Sequence, residues 1–185
     1  MKVVCLGWGS LIWDPRELKI SRNEWFRDGP ELPIEFTRIS SDNRITLIID
    51  RYAEIKVPSL WAPMETEDIK DAIYSLKQRE KITSTALIHN IQITEEPNNE
   101  ITLFIKKWME VKSVDAVIWT GLSYSKKTNF ARPSVDDLKI HLRNLSAEDF
   151  NKAKEYITNA PSQIITRYRN ELEDEIDMIS RQKYS

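Results

Sequence analysis

The chain has 185 residues, of which 41% are hydrophobic and 30% charged, with a formal net charge of -2. These values suit one soluble globular domain over residues 1–185, and the near-balanced charge argues against a surface dedicated to nucleic acid or to a membrane. A single cysteine excludes an internal disulfide, no apolar run reaches membrane-spanning length, and only four apolar residues separate Lys2 from Gly7, too few for a signal peptide, so a cytoplasmic setting is expected.

The first element is a short apolar strand, Val3-Val4-Cys5-Leu6, that runs into Gly7-Trp8-Gly9-Ser10-Leu11-Ile12-Trp13. Glycine has no Cβ and tolerates φ > 0. The loop therefore makes either a tight strand-to-loop turn or a cradle of inward N–H groups around an anion. A dinucleotide fingerprint needs a third glycine and an immediate helix, whereas Asp14-Pro15 comes next here, and a phosphate loop needs Gly-Lys-Ser/Thr. Cys5, between Val4 and Leu6, reads as a buried small hydrophobe.

Residues 14–33 carry few strand signals and contain the turn cluster Asp28-Gly29-Pro30. Strands are predicted at 34–40, 45–50 and 59–62. A helix is predicted over 66–81, with Thr66 as N-cap, Glu67 and Asp68 in its first turn, and Ile69, Ile73 and Leu76 as its apolar stripe. Glu80 continues that stripe, lying about 20° around the helix from Ile69. A carboxylate on a core-facing stripe is costly when unpaired, and burial pushes a carboxyl toward the neutral form that general acid–base work near neutral pH requires. The alternative is a helix-end glutamate whose stem packs while its head reaches solvent or pairs with Arg79 or Lys81.

Further strands are predicted at 86–94, 100–108 and 115–120, with Glu96-Pro97-Asn98-Asn99 as a hairpin connection. On this pattern His89 shares a face with Leu87, Ile91 and Ile93 as a core histidine, and Trp61, Trp108 and Trp119 are core residues. The loop 121–132 is exposed at Lys126 and Lys127, and its Tyr124 and Asn129 are candidates for a pocket wall. Ser134 with Asp137 and Ser146 with Asp149 mark helix starts, and helices should fill most of 135–144, 147–158 and 162–180. His141 should be solvated, and the last ten or so residues, ending Arg181-Gln182-Lys183-Tyr184-Ser185, should fray. Two isolated histidines without Cys/His spacing make no metal site, and no cofactor motif is present. Strands first and helices later indicate an α+β domain with a helical C-terminal part at about 134–182.

Two segments resemble one family. Gly9-Ser10-Leu11-Ile12-Trp13 is similar to the "GSLIW" glycine loop of the ChaC-type, glutathione-specific gamma-glutamylcyclotransferases, and Leu76-Lys77-Gln78-Arg79-Glu80 to their "LxxRE" segment. Between them Arg44-Ile45-Thr46-Leu47-Ile48 resembles the family's "RxLTLV" strand, so the likeness covers roughly residues 1–82. The C-terminal stretch, including Ala160-Pro161-Ser162-Gln163-Ile164, looks more like an uncharacterised prokaryotic branch of that superfamily. The resemblance implies a small mixed β-barrel with surrounding helices, and a reaction that cyclises a gamma-glutamyl amide to 5-oxoproline and a free amine without metal or cofactor. It implies Glu80 as the proton-transferring residue and Trp8, Gly9, Ser10, Leu11 and Ile12 as the loop holding a small-molecule gamma-glutamyl substrate. It also suggests Arg44 as a partner for a substrate carboxylate, against the plainer reading of a solvated strand-start arginine. Two departures stand out. Trp8 occupies the position of a family tyrosine, and no aromatic comes shortly after Glu80, so that Tyr124 would have to replace the missing phenol or the activity is changed.

Overall fold

A computed structural model describes residues 1–21 and 24–183 as an α+β protein with five α-helices and mixed sheets. In chain order the elements are β1 (Val3–Gly7), β2 (Ile34–Ile39), β3 (Ile45–Ile49), β4 (Leu60–Pro63), α1 (Ile69–Glu80), β5 (Ile88–Gln92), α2 (Glu100–Lys112), β6 (Ala116–Thr120), α3 (Val135–Arg143), α4 (Ala147–Asn159) and α5 (Arg167–Lys183). The chain divides into two compact units, Met1–Leu32 with Pro58–Leu122, and Pro33–Val57 with the segment from Ser123 onward. No helix among the described residues is long and apolar enough to cross a membrane.

The first unit is built on a four-stranded sheet in the order β4-β1-β6-β5. β1 runs parallel to β6 and antiparallel to β4, with Cys5 opposite Ala62 on one side and Ile118 on the other. A central strand must bury both faces, and every residue of β1 is buried, which is why it reads as an unbroken apolar run rather than an alternating one. α1 packs against β1 and β6, placing Ala72 and Leu76 in a core with Val3, Cys5, Leu11 and Ile118.

The segment predicted as a strand at 100–108 is helix α2, and Glu96-Pro97-Asn98-Asn99 is its lead-in rather than a hairpin. Asn99 is the N-cap: its side chain accepts from the Thr102 N–H at 3.0 Å, while the Thr102 hydroxyl accepts from the Asn99 N–H at 3.1 Å. Such a reciprocal cap fixes the first turn. The buried residues Thr102, Ile105 and Met109 then come at helical spacing, a pattern that the β-branched and aromatic residues around them obscure.

In the second unit β2 and β3 pair antiparallel with an irregularity between Phe36 and Arg38, and α4 and α5 pack on them. The helix starts at Ser134 and Ser146 are as expected, each hydroxyl accepting an N–H three residues on. α5 starts at Arg167 instead of near 162, because Thr166 and Glu35 take the capping role: the Thr166 hydroxyl accepts from the Arg169 N–H at 3.2 Å, and the Glu35 carboxylate accepts from the Tyr168 N–H at 3.3 Å. Glu35 is buried, and desolvation pushes its carboxyl up, against the hydrogen bonds from Thr166, Phe36 and Tyr168. Asp50 is buried too, accepting from Arg132 Nε at 2.6 Å and the Tyr124 hydroxyl at 2.8 Å. His141, expected to be solvated, is half-buried with Nε2 at 2.9 Å from the Asn43 carbonyl. α5 is helical through Lys183, and Tyr184 and Ser185, where fraying is expected, lie outside the described residues.

Candidate functional site

Helix α1 starts two residues later than expected. Asp68 rather than Thr66 is its N-cap, accepting from the Lys70 N–H, while the Thr66 hydroxyl accepts from the Asp68 N–H at 3.0 Å. The buried stripe of α1 is Ala72, Ser75, Leu76 and Arg79, spaced at i, i+3, i+4 and i+7. Ile69 and Ile73 flank it, partly buried. Glu80 therefore borders the stripe instead of crowning it, and Arg79 is the charged group that enters the core. Lys81 closes the helix in the left-handed region at φ 54°, its N–H bonded to the Lys77 and Gln78 carbonyls.

Arg79 ties α1 to the loop after β1. Its Nη1 donates to Glu80 Oε1 at 2.7 Å, its Nη2 to the Ser10 hydroxyl at 3.2 Å and to the Asp14 carbonyl at 2.6 Å, and its Nε to the same carbonyl at 3.2 Å. A planar guanidinium with five N–H donors suits this fork, and a lysine could not reproduce it. One turn earlier the Ser75 hydroxyl accepts from the Lys19 N–H at 3.0 Å, a second fastening of the same segment. The Arg79 side chain is 4% exposed and that of Glu80 16%. The carboxylate is thus withdrawn from solvent but not unpaired: of the two readings of Glu80, the pairing with Arg79 is the one observed.

The loop reaches this geometry without a left-handed glycine, since no described glycine has positive φ. At Gly7 space is tight: a Cβ there would lie 2.8 Å from the Trp25 ring and 2.9 Å from Ile12 Cδ1, so one of those side chains would have to shift. Two turns shape the rest of the loop, Ile12 N–H to the Gly9 carbonyl at 3.0 Å and Asp14 N–H to the Ser10 carbonyl at 2.9 Å. Trp8, Gly9 and Leu11 are buried, while Ser10 and Ile12 are half-buried. Among the described residues, the N–H groups of Gly9, Ser10 and Leu11 make no hydrogen bond to another protein group. The structure thus brings Ser10 and Glu80 to one guanidinium, with Trp8 and Leu11 of the same loop buried.

Beneath them lies Cys5, fully buried. Burial pushes its thiol up, the Glu80 charge pushes the same way, and Arg79 opposes. The thiol is therefore inert as a nucleophile at neutral pH. Arg79 and Asp14 escaped the sequence reading as site residues. The signal for Arg79 was its place on the i+7 position of the true stripe, hidden because a cation was not counted as core.

Other candidates are not among the residues of this cluster. Arg44, Tyr124 and Asn129 belong to the second unit. There Arg44 pairs with Asp42 at 2.9 Å and lies over the Tyr156 ring at 5.5 Å, instead of being freely solvated. Tyr124 donates to Asp50, which together with burial pushes its phenol up, and Asn129 is exposed at φ 50°. Trp61 and Trp119 are core, whereas Trp108 is half-buried on α2, donating to the Asp28 carbonyl at 2.8 Å. His89 is exposed and not a core residue, because the inward positions of edge strand β5 are Ile88 and Ile91 and Leu87 lies in the turn before it.

A cavity of about 550 Å³ opens in the first unit, lined by residues that include Ile73, Ile88, His89, Asn90 and Trp119. Neither Glu80 nor the loop 8–12 lines it. Among the described residues, no group of three or more His, Cys, Asp and Glu could hold a metal ion. No protein-family model, no curated protein and no solved structure matches the chain.

Proposed function

We propose that the protein is a gamma-glutamylcyclotransferase-like enzyme, with the small mixed barrel of that fold, acting in the cytoplasm. It cyclises a gamma-glutamyl amide to 5-oxoproline and a free amine. The observation that carries this reading is the Arg79 fork, which holds the Glu80 carboxylate and the Ser10 hydroxyl on one guanidinium next to three N–H groups that have no protein partner among the described residues. In the reaction, the substrate α-nitrogen forms a bond to its own γ-carbonyl carbon and the amide C–N bond breaks. The nucleophile and the electrophile belong to one molecule, so holding the substrate folded supplies much of the acceleration. Glu80 takes the proton that the α-ammonium must lose and returns it to the leaving nitrogen. The N–H groups of Gly9, Ser10 and Leu11 face the substrate carboxylate and the oxyanion that develops on the γ-carbonyl. Ser10, accepting from Arg79, keeps its own hydroxyl proton to donate.

The test is to incubate the purified protein with a panel of gamma-glutamyl amines and measure 5-oxoproline and amine release. Equal release of both from one amine supports the reading. The Arg79–Glu80 ion pair favours a second one, a non-catalytic module that binds a carboxylate-bearing metabolite, because a carboxylate held in place by a guanidinium can anchor that metabolite's ammonium group without acting as a base. Saturable binding of an amine with no 5-oxoproline selects that module, and neither binding nor turnover overturns both.

A further inference from the structure

Strand β5 ends the sheet, and its register with β6 decides which of its main-chain groups face outward. The Gly121 N–H bonds to the Leu87 carbonyl and the Ile93 N–H to the Asp115 carbonyl, each at 2.8 Å, so the odd-numbered residues from 87 to 93 turn their main chain toward β6. Ile88, Asn90 and Gln92 therefore turn theirs away from the sheet. The Ile88 N–H is taken by the Thr85 carbonyl, the Gln92 N–H by Glu95 Oε2 at 2.6 Å, and the Gln92 carbonyl by the Glu95 N–H at 2.9 Å. Among the described residues, the Asn90 N–H, the Asn90 carbonyl and the Ile88 carbonyl make no hydrogen bond to another protein group. An edge fenced at both ends resists open-ended pairing, yet it keeps the groups that one added strand needs.

The cavity of about 550 Å³ lies along this edge, bordered by side chains from both faces of the sheet. Ile88 and Asn90 lie on the face that α1 covers, where Ile73 packs against the core that includes Ile88 and Ile118. His89 lies on the opposite face, edge-to-face with Trp119 at 5.8 Å. A compact ligand would touch one of these faces. An extended chain alternates its side chains between the two, with the same period as β5. No Asp, Glu, Lys or Arg lines the cavity, so a charged side chain entering it would lose hydration without meeting a counter-charge.

We infer that β5 accepts an extended, uncharged peptide segment of a partner protein as a further strand of this sheet. Laid antiparallel, a guest residue opposite Asn90 exchanges both bonds with it, and the guest N–H two residues on reaches the Ile88 carbonyl, which matches every free group of the edge. The guest side chain opposite Asn90 falls toward Ile73 and Ile88, and those before and after it fall toward His89 and Trp119. A second copy of the chain fits less well. Pairing two β5 edges about Asn90 sets each Ile88 carbonyl against a Gln92 N–H that Glu95 already holds. Neither Glu80 nor the loop 8–12 takes part.

The test titrates the full chain with the capped peptide acetyl-Thr-Val-Thr-Val-Thr-amide, followed by amide NMR. Saturable shifts at Ile88, Asn90 and Trp119 are expected. The same peptide with every backbone amide N-methylated keeps its side chains but loses its donors, and should not produce them. Asn90→Ala keeps the main-chain groups and should bind within about twofold of the parent, whereas Asn90→Pro removes the outward N–H without touching a bond to β6 and should bind about fivefold more weakly. Should the proline disturb the fold, the N-methylated peptide reads the same bonds from the other side. Absence of saturable shifts with the parent peptide overturns the inference. So does undiminished binding of the N-methylated peptide, or a chain that dimerises through β5 when no peptide is present.

Discussion

Arg79 donates to the Ser10 hydroxyl at 3.2 Å across 69 positions of sequence. The same guanidinium holds the Asp14 carbonyl and the Glu80 carboxylate, so the loop after β1 and the end of α1 are fastened to each other. Under the proposed cyclisation, a substrate held against this fork would meet groups whose relative positions are already set, which is what a ring-closing geometry needs. The residues that bear on it are testable one by one.

Glu80→Gln keeps the size of the side chain and its hydrogen bond from Arg79 while removing the ability to accept a proton from an ammonium. Turnover of a gamma-glutamyl amine should fall by at least about a hundredfold, the scale of a general acid–base group. Circular dichroism and amine binding should be unchanged. An undiminished rate in the variant would reject Glu80 as the proton carrier, whatever the substrate.

Arg79→Met leaves the Glu80 carboxylate withdrawn from solvent without its partner and frees the Asp14 carbonyl. Urea denaturation should show a loss of about 3 kcal/mol, the lower end for breaking a buried pair from one side. The double variant Arg79→Met with Glu80→Gln removes both charges and should recover part of that loss. A double variant whose loss equals the sum of the two singles would mean that the pair is not coupled in the folded state.

Cys5 supplies a check on the same neighbourhood. With its thiol pushed up by burial and by the Glu80 charge, it should resist iodoacetamide at neutral and mildly alkaline pH and react only on denaturation. Rapid labelling of the native protein would show that the β1–α1 packing opens readily.

The sheet strands were legible because their apolar runs are short and bounded by turn residues, as in Val3–Gly7 and Ile45–Ile49. Glu80 and the loop 8–12 were legible as a pair of segments, though not through the residue that joins them. Periodicity counts apolar side chains, and Arg79 is a buried cation whose burial depends on the Ser10 and Asp14 oxygens supplied by a distant loop. The Glu35 and Asp50 carboxylates escaped for the same reason, since their partners Thr166 and Arg132 lie more than eighty positions away in sequence. Segment 100–108 failed differently. Local strand propensity there was overruled by a cap two residues before Ile101.

That cap carries its own prediction. Asn99→Ala removes the acceptor for the Thr102 N–H at the head of α2 and should cost about 1 kcal/mol. Asn99→Gly, which keeps the extended backbone of a cap, should recover most of it. Equal losses in both, read from thermal melts, would place the effect in packing and not in capping.

The acid limb of the stability curve should depend on Glu175. This carboxylate, 3% exposed on α5, receives a two-pronged bond from Arg143, Nε at 2.7 Å and Nη2 at 2.8 Å. Arg143 holds the Glu175 carboxyl below its ordinary value, more than burial raises it. The folded protein then binds fewer protons than the unfolded chain in the range between the two values, so stability rises with pH there. The contribution is fully present above the unfolded carboxyl value of about 4.3 and is lost as pH falls through the lower, folded one. Arg143→Met should lower stability at neutral pH, and the gap between the two proteins should close as pH falls toward about 3. Urea denaturation at a series of pH values reads that gap directly. If it stays constant down to the acid end, Arg143 stabilises by covering α5 with its methylene stem and not by charge.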